Sequence, residues 1–163
     1  MTPKFTSAVF FIWAGLSVGG NILAAAAKFQ VSTLTTAELL LVGRAQFAWL
    51  GNAEWILCAT VLLLLAAGRQ RPTPAHCLII LLLVLQQHWL TPLLQLRTDM
   101  IIAGNVPDGP ALHFLFVGAE VAKLTLLMFA GLLQPDTQRK AQRLTWQLPR
   151  HPLNLKGCSV EKL

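Results

Sequence analysis

Four apolar runs, at about 8–28, 46–67, 76–96 and 111–133, dominate this 163-residue chain. A helix that crosses a bilayer needs ~20 consecutive, mostly apolar residues, and each run is long enough to supply them. The expected fold class is therefore all-α: an integral-membrane four-helix bundle over 1–134, followed by a basic tail at 135–163. Composition agrees. Only 12% of the residues are charged and the mean hydropathy is +0.58, whereas soluble domains carry about 25% charged residues.

The net charge of +6 would suit a nucleic-acid partner if it were spread over a folded surface. It is not: six of the thirteen Lys and Arg residues lie beyond Pro135, directly after an apolar run. That distribution fits a cytoplasmic juxtamembrane tail attracted to anionic lipid headgroups, and no nucleic acid is expected. Cys58, Cys77 and Cys158 form no Cys-x-x-Cys pair and no zinc spacing, so they read as reduced structural thiols. The first run has two readings. Its Ala24–Ala27 end resembles a signal-peptide cleavage region. Its length, and the Gly19-Gly20-Asn21 interruption, favour a retained helix.

Lys and Arg in the connecting segments orient the spans. Lys4, Arg69, Arg71 and the basic tail fall on one side of an even number of spans, which predicts both termini in the cytoplasm. Lys28 and Arg44 go against this trend and call for a local cause. The outer side also holds Arg97 and His113. The second helix extends back to about Thr36, with Thr35 or Thr36 as N-cap and Glu38 in its first turn. Gly15 and Gly19 form a small-xxx-small pair suited to close helix contact. No internal repeat and no heptad pattern stands out.

The spans are not purely apolar. Asn52 and Glu54 interrupt the second, Gln86, Gln87 and His88 the third, and Glu120 and Lys123 the fourth. A charged side chain at the centre of a span costs about 2.5–3.5 kcal/mol on insertion scales, so such groups need partners. At a rise of ~1.5 Å per residue, Glu54, His88 and Glu120 all come ~12–14 Å from the outer ends of their runs, with Lys123 a turn deeper. The expectation is a buried polar cluster of Glu54, His88, Glu120 and Lys123. His88, Glu54 and Glu120 are its candidate metal ligands. The blander readings are a neutralising Glu120–Lys123 pair and a core histidine. Bundle metal sites use Glu-x-x-His, which is missing. His88 and His113 differ by ~8–10 Å in depth, so haem is not expected and the cofactor is left unknown. The HExxH, P-loop and dinucleotide patterns are also missing.

VGRAQFAWLGNAEW at 42–55, HWLTPLLQLR at 88–97 and HFLFVGAEVAK at 113–123 resemble a poorly characterised group of small four-span bacterial membrane proteins. That group is in turn distantly similar to a eukaryotic four-span membrane family. The resemblance covers about 8–133, and its most specific part is Trp89, Leu90, Pro92 and Arg97. It implies a four-helix fold and carries over no catalytic residue. The functional expectation is non-enzymatic: an accessory or assembly subunit, associating with other membrane subunits or with itself, or a small transport or stress-related protein. The alternative is an intramembrane ion, proton or metal site in the polar cluster. A membrane enzyme acting on lipid or quinone comes last.

Overall fold

The computed structural model of the protein describes residues 3–105 and 109–133. The expected lipid-binding tail, with Cys158, lies outside the described residues, as does Asp108. Four helices are long and apolar enough to cross a membrane: α1 (Lys4–Lys28), α2 (Thr36–Ala67), α3 (Pro74–Ile102) and α4 (Ala111–Leu132). There is no strand among the described residues.

Local chemistry sets the helix ends. Thr35 is the N-cap of α2: its hydroxyl accepts the Glu38 N–H at 3.3 Å, and the Glu38 carboxylate accepts the Thr35 N–H at 2.8 Å. This reciprocal pair satisfies two of the amides that a helix start leaves open. Thr73 caps α3 with Pro74 behind it, and the Thr73 N–H donates to His76 Nδ1 at 3.1 Å. At the end of α2, the Gln70 N–H reaches the Leu65 carbonyl at 2.9 Å and the Arg69 N–H reaches Ala66 at 3.1 Å. Arg69 there takes φ 50°, the left-handed position that glycine usually fills. Gly104 fills the matching position after α3, at φ 82°.

α1 packs between α2 and α4, and α3 closes the ring against both. Sequential helices are therefore neighbours, as in an up-down-up-down bundle. The buried residues form a seam on each helix: Thr6, Phe10, Trp13 and Ser17; Leu50, Glu54, Cys58, Val61 and Leu65; His76, Ile79, Leu83, Gln86 and Leu90; Phe116, Glu120, Lys123, Leu127 and Ala130. Spacings of three and four recur along all of them, the rhythm of a helix bundle. Large apolar side chains such as Trp49, Ile56, Leu63 and Phe114 point outward, which suits helices facing hydrocarbon.

Two further features position the polar residues. α1 is π-helical over Val18–Ala24 and α3 over Gln86–Leu90. Such wide turns are frequent at functional sites. The Gly15–Gly19 pair, in turn, makes no close contact, because a Cβ at either position would meet nothing within 4 Å. Close approach occurs instead at Gly20, against Leu50, and at Gly131, against Phe11.

Candidate functional site

The seams turn polar near the middle of each span. Lys123, wholly buried, projects from α4 and donates to Glu54 Oε1 of α2 at 2.6 Å. Its Nζ also lies 3.0 Å from Glu120 Oε2, one turn back on its own helix. Glu54 Oε1 accepts two more bonds from α1, from Ser17 Oγ at 3.0 Å and Trp13 Nε1 at 3.3 Å. Glu120 Oε2 accepts from Gln86 Nε2 of α3 at 2.9 Å. Each helix thus supplies at least one member. A buried charge is tolerated when it is paired and its remaining lone pairs are bonded, and most of these atoms meet that condition.

Not all of them do. Glu120 Oε1, Gln86 Oε1 and Asn21 Oδ1 are buried without a hydrogen-bond partner among the described residues. All three residues line a cavity with about 10 Å³ of room for the centre of a water-sized sphere, alongside Glu54, Lys123 and Thr91. Such a space holds about one water molecule or an ion of similar size. Both π-helical stretches border it, through Asn21 on α1 and Gln86 and Gln87 on α3.

The structure brings together Glu54, Glu120 and Lys123 and leaves His88 out. His88 is exposed, with its ring centroid 5.9 Å from that of Trp55. The expected meeting of His88 with the carboxylates is therefore corrected, and with it the metal set His88, Glu54 and Glu120. The described residues contain no group of three or more His, Cys, Asp or Glu placed to hold a metal. The cause is helical geometry: two residues along a helix turn the side chain by roughly 200°. Gln86 continues the seam of His76, Ile79 and Leu83, so His88 must face away. That seam is hidden in the sequence, because the residues flanking Ile79 and Leu83 are apolar as well. Trp13, a donor to Glu54, carried no polar signal.

The residues expected on the outer side lie apart from this cluster. Arg44 Nη2 donates to Asp99 and, at 3.2 Å, to the Gln95 carbonyl, which ties α2 to α3 and gives this dissenting charge a partner. Arg97 donates to the Gly109 carbonyl. His113 is exposed beside Phe114. Gly15-Leu16-Ser17-Val18-Gly19 spells the Gly-x-Ser-x-Gly of a hydrolase elbow, which depends on a sharp strand-to-helix turn. Here the stretch runs through a helix, and Ser17 is a buried donor to Glu54. Compared with protein-family models, curated proteins and solved structures, the chain matches none.

Proposed function

We propose that this is a non-enzymatic membrane protein whose mid-bundle cluster binds one additional positive charge, a proton or a small monovalent cation, as part of ion or proton handling. The observation that carries the reading is the charge count. Two buried carboxylates, Glu54 and Glu120, face one ammonium, Lys123. Net negative charge at the centre of a bundle is costly, and the unpartnered Glu120 Oε1 beside a water-sized cavity is where compensation fits. Infrared spectra and thermal unfolding of the intact protein in neutral detergent test this. A proton gives a carboxylic C=O band that disappears in Glu120→Gln. A cation gives stabilisation by Na⁺ or Li⁺ over choline that the same variant loses. Absence of both effects overturns the reading. Other subunits retained in fixed stoichiometry, in place of either effect, would favour the accessory or assembly role instead.

We propose a bacterial inner membrane, which the resemblance implies, with both termini cytoplasmic because Arg69, Arg71 and the basic tail share one side. Reporter fusions should place residue 72 in the cytoplasm and residue 107 outside; the reverse, or the same side for both, would sink this orientation.

A further inference from the structure

A second pocket lies toward the end of the bundle that carries the 29–35 and 103–110 connections. It has about 360 Å³ of room and is framed by the last turn of α1, the early turns of α2, the last turns of α3 and the first turn of α4. Phe47, Leu94 and Phe116 contribute apolar wall, while Lys28, Arg44 and Arg97 contribute charge. None of the described residues in the wall is acidic. The volume falls in the range of small-molecule sites, which are mostly apolar with a few placed polar groups.

Lys28 is the informative member. It has no carboxylate partner among the described residues, and its Nζ sits 5.2 Å from the Phe29 ring centroid and 5.6 Å from that of Phe47. Arg44 spends Nη2 on Asp99 and Gln95, but its Nε–H is buried and unpartnered. Basic groups thus crown an apolar hollow near the ends of four helices, the level at which headgroups meet acyl chains. Such an arrangement gives Lys28 and Arg44 a use that the side preference of basic residues does not explain.

We propose that this pocket binds an anionic amphiphile, one apolar chain bearing a phosphate-type head, with the chain against Phe47, Leu94 and Phe116 and the head on Lys28 and Arg44. The probe is dodecyl phosphate, counted by native mass spectrometry on the intact protein released from neutral maltoside detergent. One molecule should be retained per chain. At about 1 kcal/mol per basic residue near a headgroup, Lys28→Gln should weaken retention about fivefold, and Lys28→Gln with Arg44→Gln about 25-fold. Arg44 also ties α2 to α3, so the single Lys28 variant, whose ammonium packs against Gly43 and two rings and has no carboxylate partner among the described residues, keeps the test decisive if the double variant fails to fold. Equal retention of dodecylphosphocholine would show that head charge is not read. Inorganic phosphate held with the same dependence on Lys28 would show that the chain is not read. Either result, or a Lys28→Gln protein that binds like the parent, overturns the proposal.

Discussion

The two halves of the bundle are built on different physics. The half nearer the 68–73 turn closes on Phe10, Trp13, Val61, Leu65, Ile79, Leu83, Leu127 and Ala130, a continuous apolar core. The half toward the 29–35 and 103–110 connections contains the cavity beside the Glu54–Glu120–Lys123 triad, both π-helical stretches, the Arg44–Asp99 tie and the basic pocket. Both halves share the same seams; only the residues occupying them differ. In hydrocarbon, apolar contact between helices gains little over contact with lipid, so packing and interhelical hydrogen bonds decide association. The apolar half can therefore hold the helices together without choosing their register sharply. The Lys123 bonds to α2 and its own helix, with Trp13, Ser17 and Gln86 completing them, supply direction.

One graded mutational series, read as unfolding free energy in detergent, probes that contrast. The largest effect belongs to Lys123→Met, which leaves two buried carboxylates unpaired and should cost about 3–5 kcal/mol. Adding Glu54→Gln and Glu120→Gln should recover much of the loss, since no carboxylate charge is then left buried and unpaired. If Lys123→Met is mild, or the triple variant is no better than the single one, the triad does not organise the bundle. Next comes Leu83→Ala in the apolar half, at about 2–3 kcal/mol for the packing lost around a wholly buried leucine. This loss should add to that of Lys123→Met, because the two side chains serve different clusters; strong coupling would mean that the halves are not separate. The smallest effect is expected for His88→Ala, within about 0.5 kcal/mol, as for an exposed side chain outside any network. A loss as large as that of Lys123→Met would restore His88 to the cluster.

The helices themselves were plain in the sequence, down to the Thr35–Glu38 cap, because span length and capping are local properties. The common level of Glu54 and Glu120, with Lys123 a turn deeper, was also legible, since rise per residue converts position into depth. Azimuth was harder to read. In a soluble bundle the apolar stripe marks the buried face, but here the outward face is apolar too, and the seams vanish into a uniformly hydrophobic background. Only the polar members show through: Ser17, Glu54, Gln86, Glu120 and Lys123. Apart from Glu120 and Lys123, no two of them are three or four residues apart, so spacing alone could not choose Gln86 over His88. Gly15 and Gly19 misled for a related reason: small residues permit close approach without stating which face is approached.

By itself, then, the sequence determined four apolar helices, the capped start of the second, and a band of charge at mid-depth, all set by composition and by interactions within a few residues. The tertiary structure decided which way each helix faces. That choice depends on which donors can reach which acceptors across four chain segments at once. It turned Gln86 inward and His88 outward, gave Glu54 its donors from α1, and left Lys28 without a carboxylate at the edge of an apolar pocket.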